Sequence, residues 1–386
     1  MNERAGIYIH IPFCERKCTY CNFNTTDFFE DLADHYVDAV SREAAYWGER
    51  LPRKVDTIYF GGGTPSIVEA RHLSTLVRSC RDAFDVAADR EITIEINPGT
   101  FSREKIDEWL NAGINRASVG VQSFIDRELA SLSRTHTAQD ARRTLNLLRE
   151  AGFDNISLDL IAGFPEQSLE DWGFNVGEAL EIGPEHLSLY MLDLKEGTQL
   201  YAQINRGLRP RPDDDLAAEM YRMTCSAAER AGYEHYEISN FARTPLGNGA
   251  STSPFRSKHN LKYWTGTAFY GMGCGAHSYD GRSRWSNLLK TETYIDRILS
   301  GNHAIAERRE LNDTDRAADA LMMGLRLKEG ISLTEFQSEY GIDVVQRYCD
   351  ELPRLAEAGL IHLDAERLAL TPAGRLLSNE VFVSFI

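Results

Sequence analysis

Ile7-Tyr8-Ile9-His10-Ile11-Pro12-Phe13-Cys14-Glu15-Arg16-Lys17-Cys18-Thr19-Tyr20-Cys21 joins a short β-branched run to three cysteines crowded into eight residues. The run Ile7–Ile11 is the first of six strand candidates; the others are Val55–Phe60, Ile92–Ile96, Arg116–Val121, Asn155–Ile161 and His186–Leu192. Helical patterns fill the gaps near residues 34–49, 68–84, 102–112, 137–151 and 168–181. Asn111-Ala112-Gly113 and Glu150-Ala151-Gly152 read as helix ends, where glycine takes the left-handed conformation that closes a helix. Strands alternating with helices build a parallel sheet, either open and doubly wound or an incomplete (β/α) barrel. Both architectures place ligands at the C-terminal ends of strands. Cys14, Gly61-Gly62-Gly63-Thr64-Pro65, Glu95 with Asn97-Pro98, Gln122, and Asp159 with Gly163-Phe164-Pro165 all fall there, so the chemistry is expected on that rim.

A chain of 386 residues predicts two or three domains and a large core that needs no staples. The formal charge of −16 argues against an extended basic groove and hence against a nucleic-acid partner. No run of 18 apolar residues occurs, and Met1-Asn2-Glu3-Arg4 leads into a strand and not a signal-peptide core. The expectation is a cytoplasmic chain with no integral membrane segment, peripheral membrane contact staying open. We divide it into a barrel (1–205), a linking α/β region (206–304) and a small C-terminal unit (305–386). The linking region has a helical pattern near 214–231, a strand Glu234–Ser239 and a loop Thr244–Pro254. The C-terminal unit has helical patterns near 313–328, 333–340 and 344–358, then Leu360–Leu363 and Leu368–Leu370 about a turn, which is a winged-helix-like order.

Of seven cysteines, Cys80, Cys225, Cys274 and Cys349 are scattered, whereas Cys14-x3-Cys18-x2-Cys21 supplies three soft ligands from one loop. In a reducing compartment close-set thiols read as metal ligands before disulfides. Structural zinc usually wants four ligands in two close pairs, and no second pair occurs at the required distance. A cubane iron–sulfur cluster can be held by three thiolates with its fourth iron open. Zinc and plain buried thiols are the other readings.

The cysteine spacing, with Tyr20 between the second and third, resembles the radical S-adenosylmethionine (SAM) superfamily. That resemblance implies a partial (β/α)6 barrel and a [4Fe-4S] cluster on Cys14, Cys18 and Cys21. It also implies SAM chelated to the open iron, with one-electron reduction releasing a 5′-deoxyadenosyl radical. The turn at Gly62, Gly63 and Thr64 looks like the superfamily's glycine-rich motif. Tyr8, Glu95, Gln122, Arg134 and Asp159 are similar in order and spacing to the SAM-contacting positions of the oxygen-independent coproporphyrinogen dehydrogenase (HemN) subfamily.

Two features separate the chain from that dehydrogenase. Residues 21–23 are Cys-Asn-Phe where the enzyme has a further cysteine, and only 13 residues precede Cys14, too few for its N-terminal extension. His259-Asn260-Leu261-Lys262-Tyr263-Trp264 instead looks like the signature of the HemW-type haem chaperones. That likeness implies haem as cargo, haem-accepting proteins such as respiratory enzymes as partners, and an electron donor for the cluster. His259 is the candidate axial ligand, Tyr263 and Trp264 offer flat apolar walls, and Arg256, Lys258 and Lys262 lie near enough in sequence to meet propionates. Gly247 to Pro254 reads as longer than the usual approach to His259. A coproporphyrinogen dehydrogenase and a radical SAM methyltransferase are the alternatives.

Overall fold

In the computed structural model, which describes residues 4–51, 54–245 and 252–385, all six expected strands form and pair in parallel in chain order. They are β1 (Ala5–Ile11), β2 (Val55–Gly62), β3 (Val86–Ile96), β4 (Arg116–Gln122), β5 (Ile156–Ala162) and β6 (His186–Met191). Side chains along a strand alternate between faces. On the outer face Ile7, Ile9, Ile58, Phe60, Ile92, Ile94, Val119, Leu158 and Leu187 are fully buried beneath the helices in one core. Each such side chain contributes about 1.5–3 kcal/mol on burial. On the inner face stand Tyr59, Glu95, Arg116, Ser118, Asp159 and Ser188. Barrel interiors are ordinarily filled with branched aliphatic residues; this one is polar through much of its depth.

The covering helices keep close to their expected limits, as Glu30–Gly48, Ala70–Ala83, Arg103–Ala112, Ala138–Ala151 and Leu169–Ile182. Ser102 and Ser168 cap two of them, Thr137 and Asp140 form a capping box, and Gly113 and Gly152 close their helices at φ 92° and 102°.

The linking residues build more of the same sheet. β7 (Tyr233–Glu237) and β8 (Asn240–Arg243) add antiparallel beside β6, and β9 (Phe269–Met272) pairs in parallel with β1, Gly6 opposite Phe269 and Ile9 opposite Met272. β10 (His277–Tyr279), β11 (Ser283–Asn287) and β12 (Ile305–Glu310) continue antiparallel, giving the order β12-β11-β10-β9-β1-β2-β3-β4-β5-β6-β8-β7. β9 escapes a pattern search because it is four residues long and includes Gly271, where a Cβ would lie 2.1 Å from the His277 carbonyl oxygen. The extension is fastened to the first helix by Glu43, a fully buried carboxylate. It accepts from Gly273 N (2.8 Å), Asn287 Nδ2 (2.7 Å), Tyr294 OH (2.6 Å) and Trp47 Nε1 (3.4 Å).

Residues 311–385 form a second core around Leu321, Leu325, Phe336, Leu352 and Leu368. Helices Asp313–Gly324 and Leu333–Tyr340 pack with a three-stranded sheet of β13 (Ile331–Ser332), β14 (Ile361–Leu363) and β15 (Arg367–Leu370), consistent with a winged-helix-like unit. The helix expected over 344–358 is two, Val344–Arg347 and Glu351–Glu357. Pro353 accounts for the break, since it lacks the N–H and crowds the carbonyl of Cys349. Among the described residues no helix is long and apolar enough to cross a membrane.

Replacing Glu43 with Ala should cost about 3 kcal/mol or more, because four buried donors lose their acceptor together. Urea unfolding of the variant beside wild type measures it.

Candidate functional site

The cysteine loop is tied down at both ends by the protein itself. Phe13–Cys14 pairs with Thr26–Asp27, Thr19 N donates to Leu132 O (3.3 Å), and Leu200 N donates to Thr19 O (2.8 Å). The loop therefore spans the rim from β1 toward the far side of the barrel. Cys14, Cys18 and Cys21 are all free and half-buried, and they face one cavity of about 380 Å³. Burial pushes the Cys14 thiol up to about 11 and raises Cys21 as well. Among the described residues, no three His, Cys, Asp or Glu side chains converge as a single metal ion would require.

Gly62, Gly63, Thr64, Glu95, Gln122, Arg134, Asp159 and Tyr20 line the same cavity. The glycines serve a tight internal fit: a Cβ on Gly62 (φ 115°) would sit 2.4 Å from the His10 ring, and one on Gly63 would sit 2.7 Å from Phe13 O. Thr64 Oγ1 lies 3.5 Å from Cys14 Sγ. Glu95 accepts from Tyr59 OH (2.9 Å) and Gly62 N (3.0 Å), and desolvation raises its carboxyl to about 7. Arg134 donates to Gly120 O (2.7 Å), Asn97 Oδ1 (2.8 Å) and Cys18 Sγ (3.6 Å), which fixes a cation beside the loop. Gln122 follows a bulge in β4 and has φ 66°, an uncommon conformation that turns the chain at the rim. Asp159 accepts from Ser118 Oγ (3.1 Å) and Ser157 Oγ (3.3 Å).

Tyr8 is not on the cavity wall. Its hydroxyl meets His10 Nδ1 (3.1 Å), and its ring stacks on Tyr59. His10, bonded also to Asn24 O (2.8 Å), is a packed interior histidine. Cys274 is buried beside Tyr36 and Thr291.

His259, the candidate axial ligand, lies at the other end of the lumen. It starts the helix Lys258–Trp264, which covers the N-terminal ends of β1 and β2, and it is 1% exposed. Nδ1 is 2.8 Å from Thr57 Oγ1, Nε2 is 2.9 Å from Tyr263 OH, and Tyr59 stacks on the ring. Both ring nitrogens are thus engaged by hydroxyl groups of the protein. The expected propionate partners are also engaged: Lys262 with Asp56 (2.6 Å), Arg256 with Glu234 and Glu329, and Lys258 Nζ with Asp89 O (3.0 Å). Trp264 lies under Arg326 of the C-terminal region. Of the Gly247–Pro254 stretch, residues 247–251 lie outside the described residues. Among the further residues that line the cavity and were not expected from the sequence as binders are Tyr59, Arg116, Ser118 and Ser188. Strand alternation was the available signal, since Arg116, Ser118, Gly120 and Gln122 share one parity.

Residues 8–174 match the Radical SAM superfamily and residues 311–377 the HemN C-terminal domain. The heme chaperone HemW of Bacillus subtilis (strain 168) is 35% identical over 381 residues, 98% of each chain. The chain belongs to the HemW family. A mitochondrial radical S-adenosyl methionine domain-containing protein 1 from Bos taurus is 32% identical, covering 100% of this chain and 88% of its own. The Escherichia coli coproporphyrinogen III oxidase (HemN) structure shares the fold at TM-score 0.84 and 24% identity, over 100% of this chain and 90% of that one. In this HemW-family barrel, then, the rim carries the cysteine loop and the floor carries the His-Asn-x-x-Tyr-Trp helix.

Burial pushes His259 down from 6.5 to about 3, and it lowers His10, His136, His186 and His235 too. The unfolded chain therefore takes up protons first, so stability is complete above about pH 6.5 and declines as pH falls toward 3. His259→Gln should lose less stability over that interval than wild type, as read from urea midpoints at successive pH values.

Proposed function

We propose that this chain is a cytoplasmic haem chaperone that carries a [4Fe-4S] cluster on Cys14, Cys18 and Cys21, binds SAM in the adjoining cavity, and delivers haem to haem-dependent proteins, respiratory enzymes among them. The observation that carries the reading is the meeting of three free thiols with the Gly62–Thr64 turn, Glu95 and Arg134 around one rim cavity. The donor set fits the group. Three soft thiols from one loop, with no fourth ligand at zinc spacing, suit a cubane cluster with one open iron better than a structural zinc ion. The Arg134 Nε is enclosed with no hydrogen-bond partner among the described residues, and a SAM carboxylate is a fitting acceptor for a guanidinium.

When bound, the cluster supplies the electron that SAM reduction requires. The chain's own residues position and insulate. Arg134, oriented by Asn97 and Gly120, holds positive charge beside Cys18 Sγ. Thr64 offers a hydroxyl to Cys14. Glu95, held by Tyr59 and Gly62, presents carboxyl oxygens to an amino or ribose hydroxyl group. Gln122 and Asp159 line the remaining wall, and Tyr20 closes over Arg134 at the loop.

Haem is the cargo because the full-length relative from Bacillus subtilis is named a heme chaperone. Phe23 stands where the coproporphyrinogen dehydrogenases have a further cysteine, which favours the chaperone over decarboxylation. The test is anaerobic reconstitution and then haem titration. The cluster's charge-transfer absorbance should vanish in Cys14→Ala, and haem should give a Soret shift in wild type that His259→Ala keeps, while coproporphyrinogen with SAM and reductant gives no protoporphyrinogen. A full cluster spectrum in Cys14→Ala overturns the ligand assignment; a missing Soret shift in wild type overturns the chaperone reading.

A further inference from the structure

Arg116 opens β4 at its lowest inward position, below Ser118, Gly120 and Gln122 on the same face. It is 1% exposed, yet its guanidinium makes no hydrogen bond or ion pair with any described residue, and its Nε is enclosed without a partner. A buried cation in that state costs several kcal/mol unless something in the lumen meets it. The neighbouring carboxylates make no hydrogen bond to it. Glu95 is satisfied by Tyr59 and Gly62, and Asp159 by Ser118 and Ser157. Both act on Arg116 through space only.

The other groups around it are neutral and occupied. His186 is bonded to Ser157 Oγ (2.7 Å) and Tyr236 OH (2.8 Å), and His259 to Thr57 and Tyr263. Asn260 closes the cavity from the floor helix. The guanidinium fork is thus left facing the cavity, with Ser118 and Ser188 hydroxyls on the adjoining walls. A planar fork matches the two oxygens of one carboxylate. A doubly charged phosphate fits poorly, because Glu95 and Asp159 flank the position. Burial raises both of those carboxyls, which lessens the negative charge that a singly charged carboxylate meets.

We propose that the lower lumen is a second ligand subsite, distinct from the rim site, in which Arg116 receives the carboxylate of a small molecule. The site lies deeper in the barrel than the cysteine loop and the glycine-rich turn, in the same continuous cavity. It does not depend on haem binding or on the cluster ligands.

The probe is carbon-13 formate titrated into the reconstituted full chain, with the line width of its carboxyl carbon as the readout. Formate should bind saturably to wild type and about 10- to 100-fold more weakly to Arg116→Gln, the range expected for a lost charge-assisted hydrogen bond. Affinity should survive saturation with SAM, and inorganic phosphate should compete poorly. Equal binding by wild type and the variant places the anion elsewhere and overturns the proposal. Displacement of formate by SAM would make Arg116 part of the rim site and overturn it as a separate subsite, and strong competition by phosphate would overturn the carboxylate assignment. Should Arg116→Gln fail to fold, a wild-type crystal grown in formate decides: an anion bridging the guanidinium supports the subsite, and water alone there overturns it.

Discussion

Two-residue periodicity along six parallel strands, apolar outward and polar inward, is the constraint on which the rest of the architecture depends. The outward set drives helix packing through ordinary hydrophobic burial. The inward set cannot be buried dry, so it must be satisfied by its own cross-strand bonds, by water or by ligands. A slip of one residue in any strand would exchange the two sets. Serine, tyrosine and histidine would then sit under helices and isoleucine would line the lumen, so register and site are specified by the same feature.

The rim illustrates how much of a binding site is built from protein alone. The cysteine loop is pinned by backbone bonds at Thr19 and by the short pairing at Cys14, and Arg134 is oriented by Asn97 and Gly120. Gly62 and Gly63 let the second strand's turn nest against His10 and Phe13. Such groups lose little freedom when a ligand arrives, which is the main advantage of a preorganised pocket.

The six barrel strands were legible because β-branched runs separated by helical periods leave few alternatives, and the helix ends at Gly113 and Gly152 because only a left-handed residue closes a helix there. The rim residues were legible for a related reason: strand ends are where this architecture puts ligands. β9 was not, being four residues long and shaped by the close approach of Gly271 to His277. Nor was the burial of His259. A motif fixes which residues are neighbours in the chain, but Thr57 and Tyr59, which help enclose the ring, come from some two hundred residues away. Arg116 was in plain view as the start of a strand; tracing its parity inward would have put it in the lumen.

The pairing of β1 with β9 also bears on how the chain assembles. Gly6 meets Phe269 across more than two-thirds of the sequence, a contact of very high separation. During synthesis the first strand can pair with β2 early, but its other edge waits for the last third of the chain. Over that interval the nascent sheet has an open edge directly beside the segment that leads to Cys14. Exposed edges invite association with other chains, so the docking of β9 and its antiparallel neighbours, held by the bonds to Glu43, also removes an aggregation-prone edge.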